Sequence, residues 1–373
     1  MRMRRLRMLI AWSGGLLLCL SFFGCNTELR RARESVEKED YLQAALLYEK
    51  VVEKDPDNDA ALRELSKLYC VTLKNTFKCF GKSKELHKRY TKDPTVTSWY
   101  KAALYSNAQD AYLSNQLKTA EKYLEDYSKL DPDNGRAYFM RANIKYRLNR
   151  KPPRNDFELK DAHKLYKKAL KHSKKSDMVA LSSKKQKALL QWECHMQSGS
   201  IYEMWLMDKK KDFIKKMMEE AKKKAKKAAE EAKKNKKKRR RRRRRRRKKK
   251  KQEEEPKPKF KANPKHFDAA IEHFKAAGEF SQTHPNKFKR PLPFFKIGMF
   301  YANFKDDFET GAKWLKKAEK WGPNDVNVVG NLKMMYDKMA EMAEADKDKK
   351  KQKEMEKAAQ EYAAKFDSLK GRQ

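Results

Sequence analysis

From Thr27 onward, apolar and small residues recur in steps of four and three. The sets are Ala44, Tyr48 and Val51; Ala120, Leu124 and Tyr127; Ala162, Tyr166 and Ala169; Ala270, Phe274 and Ala277; and Gly311, Leu315 and Ala318. On an α-helix that spacing puts every member of a set on one face. The small residue that opens each set lets a neighbouring helix come close, and the bulky one fills the gap beside it. Three positions ahead stands another anchor, in turn Tyr41, Leu117, Leu159, Phe267 and Phe308. A second family of stripes precedes these: Leu29, Ala32 and Val36; Leu62, Leu65 and Tyr69; Tyr138, Ala142 and Tyr146; Phe294, Ile297, Gly298 and Tyr301. The pattern predicts helices in pairs.

The punctuation between the stripes is regular. "KDPDN", "KDPTV" and "LDPDN" place Pro56, Pro94 and Pro132 at a constant interval of 38 residues. Each Asp-Pro is read as a helix stop, because proline lacks an amide to donate and restricts the residue before it. "GPNDVNVV" (322–329) has the same turn-then-helix character. A fixed interval in this range marks a stacked repeat. The stripes and stops together resemble the tetratricopeptide repeat (TPR), a pair of antiparallel helices of about 34 residues. The alternative is a helical bundle that shares the same periodicity. The resemblance implies an all-α helical-hairpin solenoid of five or six units between Thr27 and Phe366. Two departures stand out. The second unit has Lys82 or Ser83 where a small apolar residue belongs, which puts its packing in doubt. The fourth carries the extra residues "RKPPRNDF" between its helices. The stretch Lys349–Gly371 reads as a capping helix with Ala359, Tyr362, Ala363 and Phe366 turned inward.

Charge changes the picture at one place. Of the formal charge of +42, more than half belongs to Lys209–Lys251, where 28 Lys or Arg stand against five Asp or Glu. One helix of the fifth pair is expected from about Lys184 to Met207, and its partner carries Phe267, Ala270, Phe274 and Ala277. The basic segment is therefore an insertion in an interhelical turn, where added length costs little closure entropy. Glu219–Lys223 and Glu220–Lys224 are favourable pairs for extending the helix through about Lys234. From Lys236 to about Pro264 uniform repulsion predicts disorder. Lys236, Arg239, Arg243, Arg247 and Lys251 are the candidates for binding a polyanion or an anionic surface. No aromatic residue interrupts Lys236–Lys251, so the stacking platform of single-strand nucleic-acid binders is missing. Against a dedicated ligand stands the plainer reading of a solvated loop.

The N-terminus adds a location. Arg2, Arg4, Arg5 and Arg7 precede an apolar run from Met8 to Phe23, the arrangement of a signal peptide. "LSFFGC" resembles the lipobox of bacterial lipoproteins, which implies lipid attachment at Cys25. Ordinary cleavage and an uncleaved anchor are the alternatives. The expected organisation is thus a signal peptide (1–24), an N-terminal TPR array (25–207), the Lys/Arg-rich insertion (208–263) and C-terminal TPR units with a capping helix (264–373). Localisation follows as the bacterial outer membrane, facing the periplasm. In that oxidising compartment Cys70 and Cys79 either pair or remain buried free thiols.

No catalytic constellation is legible. There is no HExxH, no GxSxG and no glycine-rich phosphate loop. His266 and His273 stand two helical turns apart without completing a metal spacing, and the histidines are read as surface residues. Cys194 and His195, adjacent on a helix, point apart. The tryptophans and methionines read as core and groove filler. No cofactor and no metal are expected. The TPR resemblance implies a non-enzymatic scaffold binding a protein partner of the cell envelope in a groove lined by first helices, with Asn143, Tyr146 and Arg147 as groove candidates. Nucleic acid is disfavoured as a partner.

Overall fold

The computed structural model describes residues 27–173, 184–239, 259–284 and 286–371, and among them no strand occurs. The helices are α1 (27–37), α2 (Tyr41–Lys54), α3 (Asp59–Lys67), α4 (Thr76–Arg89), α5 (Pro94–Leu113), α6 (Leu117–Leu130), α7 (Gly135–Asn149), α8 (Asp156–Ser173), α9 (Lys184–Arg239), α10 (Pro264–Glu279), α11 (Leu292–Lys305), α12 (Phe308–Trp321), α13 (Val326–Ala345) and α14 (Lys349–Lys370). The chain divides into two units, the first ending at Leu148 and the second beginning at Asn149. Residues 1–26, with the expected signal peptide and Cys25, lie outside the described residues. Among the described residues no helix is long and apolar enough to cross a membrane.

In the first unit the small–bulky stripes make the core. Ala44, Tyr48 and Val51 of α2 are buried against Leu62 and Leu65 of α3, and Ala120, Leu124 and Tyr127 of α6 against Leu104 and Ala108 of α5. The doubt over the second unit is resolved by size. Cys79, Ser83 and Leu86 form the buried face of α4, and Ser83 is small enough to fit with its hydroxyl turned back to the Phe80 carbonyl, 3.5 Å away. The widened helical turn Leu68–Thr72 ends α3. Cys70 within it is bridged to Cys79, with 4.8 Å between their Cα atoms.

The Asp-Pro pairs do not all act as stops. Asp55 and Asp131 close α2 and α6, and Asn58, two residues after Pro56, then caps α3 through the Ala61 amide at 3.1 Å. At the second Asp-Pro, however, α4 has already ended at Arg89 and Pro94 opens α5. Asp93 is its N-cap, accepting from Thr95 and Val96 at 2.9 and 3.2 Å. Proline in the first turn costs no hydrogen bond, since that amide has no partner in a helix. Asp93 and Asp131 each also hold a cation from the preceding first helix. Arg63 meets Asp93 at 2.7 Å and Lys101 meets Asp131 at 3.5 Å.

In the second unit consecutive helices from α8 to α14 pack against each other. Ala162, Tyr166 and Ala169, then Ala270, Phe274 and Ala277, then Leu315 and Ala318 are all 0 % exposed, so the sequence stripes and the core coincide. Gly298 and Gly311 let α11 and α12 touch backbone to backbone: a Cβ on Gly298 would lie 2.8 Å from the Gly311 carbonyl oxygen. The closing helix α14 turns Ala359, Tyr362, Ala363 and Phe366 away from solvent, with Tyr362 stacked on Tyr336 at 5.6 Å. The main correction concerns α9. Its 56 residues run unbroken past Met207 to Arg239, and its last turns include Lys236, where the charge run predicts disorder to begin. Alanine, lysine, glutamate and methionine are all strong helix formers, which outweighs the charge density this far along the chain. Residues 240–258 lie outside the described residues.

Candidate functional site

The groove candidates lie together on α7. Arg147 is already engaged within the first unit: its guanidinium donates to Asn115 Oδ1 at 3.2 Å and lies over the Tyr112 ring at 4.8 Å. Asn143 and Tyr146 are half-buried and have partners of their own. Of the basic candidates, Lys236 and Arg239 fall in the last turns of α9, while Arg243, Arg247 and Lys251 lie outside the described residues.

A different place has the geometry of a binding site. A cleft of about 920 Å³ opens in the second unit, lined by the 152–156 turn, Lys160, the Trp205–Asp212 stretch of α9, and Phe260, Lys261, Asn263 and His266. Two caps shape its walls. Asn155 caps α8 through the Phe157 and Glu158 amides at 3.0 and 3.3 Å, and Asn263 caps α10 through the Lys265 amide at 3.0 Å. Both helices therefore present N-terminal ends, with their partial positive charge, beside the cleft. The turn residue Arg154 forms an ion pair with Asp208, tying the loop to α9. Phe260 is fixed against Phe213, ring centres 5.6 Å apart. Trp205 stands edge-on to Tyr202 at 5.3 Å and tilted on His266 at 5.4 Å. Its indole N–H is buried and meets no acceptor among the described residues. With Arg154 and Asp208 paired, the remaining rim holds Lys160, Lys209, Lys211 and Lys261 against Asp156 and Asp212.

Beneath Trp205 lies a cluster of imidazoles that corrects the reading of the histidines as surface residues. None of the seven is exposed. His163 of α8, His195 of α9 and His273 of α10 converge because their helix positions face one junction. His195 and His273 bring their Nδ1 atoms to 3.1 Å, and His163 Nε2 sits 3.2 Å from the Tyr202 hydroxyl. Burial, with Lys167 nearby, lowers His163 to a pKa of about 4. Burial and the adjacent His195 and His163 lower His273 to about 3. Both groups are therefore neutral at pH 7. Among the described residues no group of three or more His, Cys, Asp or Glu is arranged to hold a metal ion. Cys194 points away from His195 into the core, where burial pushes its thiol well up and leaves it a poor nucleophile.

Sequence reasoning missed the cleft because its walls come from three separated stretches. The available signal was the irregular "RKPPRN" loop, which breaks the repeat and supplies Pro152 and Arg154. No family model matches the chain, and no curated protein matches it. Solved structures similar to it include YrrB, a TPR protein with an unusual peptide-binding site, at 12 % identity over 76 % of this chain and 96 % of that one, TM-score 0.39. PilF of Pseudomonas aeruginosa is similar at 9 % identity over 83 % and 96 %, TM-score 0.33. MamA is similar at 18 % identity over 54 % and 94 %, TM-score 0.29. From its own helix pairs, in which one small–bulky stripe occupies the same buried face again and again, the chain is an all-α protein built of TPR-type helical hairpins.

Proposed function

We propose that this protein is a non-enzymatic binding scaffold of a bacterial cell envelope, lipid-anchored at Cys25 and serving the assembly of an envelope machine. The cleft beside Trp205 takes a partner's acidic segment. The observation that supports this most directly is the combination in one cavity of an apolar floor, built by Trp205, Leu206, Phe260 and Pro152, and a lysine rim. Lysines around an aromatic floor favour an acidic segment with an apolar anchor, since rim charges steer association and desolvated aromatics supply affinity. The Cys70–Cys79 bridge is in keeping with an oxidising compartment outside the cytoplasm.

A photoreactive residue placed at Lys261 should crosslink a defined acidic partner in native membranes. Trp205→Ala should weaken that capture by about tenfold, the loss of one anchor. Capture unchanged by Trp205→Ala would refute the site. Cys25→Ser should abolish incorporation of labelled palmitate and release the protein from the membrane. A second reading rests on the Lys/Arg run itself, as a ligand for polyanions or anionic surfaces. Deleting residues 236–251 leaves partner capture intact on the first reading and removes binding on the second, with the steep salt dependence of polyanion contacts.

A further inference from the structure

The first half of α9 is buried on several sides, and one stripe of it packs against α10 and α11. Trp192 and Met196 join the core with Phe267, Ile297 and Phe300, and Gly199 lies under Phe274. Glu203 pairs with Lys296 of α11 at 2.7 Å, and Lys210 donates to the Asn303 carbonyl near the end of α11. Stepping on by four and three, the same stripe continues as Ile214, Met218, Ala221, Ala225 and Ala228. Here α11 has ended, at Lys305. Ile214 is 46 % and Met218 58 % exposed, and the three alanines are exposed as well. The alternation of four and three averages the 3.5-residue repeat of a coiled-coil seam. From Ile214 to Ala228 it rises about 21 Å at 1.5 Å per residue.

We propose that this seam docks an acidic amphipathic helix of about four turns, supplied by another protein. The face is continuous with one that the fold already covers with helix, and its alanines admit a partner helix closely. Charge selects the occupant. Lys215 and Lys222 line one edge, both exposed, where carboxylates at the partner's flanking positions would meet them. A second copy of this chain would set lysine against lysine. The residues that follow α9, 240–251, are all Lys or Arg and carry the same sign. A lipid surface is the weaker match, since the seam has no Trp, Phe or Leu and Glu219 and Glu220 project from the same shaft. The seam lies about half a turn round α9 from Trp205 and Asp212, so it stands or falls independently of the cleft.

The test uses the full chain and a fluorescent three-heptad peptide with leucine and alanine at the seam positions and glutamate at the flanking ones. Controls are a scrambled peptide of the same composition, a version with lysine for glutamate, and phosphatidylglycerol vesicles. The heptad peptide should bind at least about tenfold more tightly than the scrambled one, the worth of one buried apolar side chain. Ile214→Asp with Met218→Asp should remove that difference without changing the thermal melt, because both positions are exposed. Lys215→Glu with Lys222→Glu should shift preference to the lysine peptide, and Trp205→Ala should leave binding unchanged. Equal binding of both acidic peptides would overturn the proposal in favour of a polyanion contact. Binding to vesicles alone, self-association without peptide binding, or loss of peptide binding in Trp205→Ala would overturn it equally.

Discussion

Single residues set how closely these helices approach. A Cβ on Gly199 would stand 2.6 Å from a ring carbon of Phe274, a side chain itself fully buried. Gly199→Ala should therefore destabilise the second unit by about 1–3 kcal/mol, the usual cost of overpacking, read as a lower denaturant midpoint at unchanged slope. Gly81 offers the contrast. It lies inside α4 with nothing within 4 Å of where a Cβ would stand, so Gly81→Ala should stabilise by about 0.5–1 kcal/mol through helix propensity alone. The small positions at Ala44, Ala120 and Ala270 were legible from spacing. That Ser83 serves in the same way was not, because a hydroxyl is acceptable in a core only once its hydrogen-bond partner is known.

At the scale of elements, one tie recurs between neighbouring hairpins and another closes a single hairpin. The interval that separates Pro94 from Pro132 also separates Arg63 from Lys101, so the ion pairs to Asp93 and Asp131 are one feature repeated. The Cys70–Cys79 bridge joins the end of α3 to α4. Closing so short a loop is worth about 2–3 kcal/mol through the entropy it removes from the unfolded chain. Reduction, or Cys70→Ser with Cys79→Ser, should lower the melting temperature of the first unit by the corresponding amount. Non-reducing mass spectrometry should find the bridge in protein taken from membranes. The length of α9 belongs to this scale too. Its pairs of glutamate and lysine were readable, but where such a helix stops depends on when repulsion overtakes propensity, and local pattern does not give that point.

For the second unit as a whole, the buried imidazoles dictate a pH dependence. Unfolded histidine titrates near 6.5, whereas His163 and His273 are held at about 4 and about 3. Between those values the unfolded chain binds more protons, so stability is full above about pH 6.5 and falls as the pH drops toward 3. Thermal melts from pH 7.5 to 4.5 should show this loss, and His273→Phe should flatten it. The sequence by itself determined the all-helical repeat, the faces of its helices and the site of the basic insertion. Those are local properties, fixed by periodicity and by proline and glycine. Only the tertiary structure decided that three distant histidines share one junction, that Arg154 reaches Asp208 beside Trp205, and that the packed stripe of α9 outruns its cover. Each depends on which helices become neighbours, and side chains far apart in the chain meet only after that choice is made.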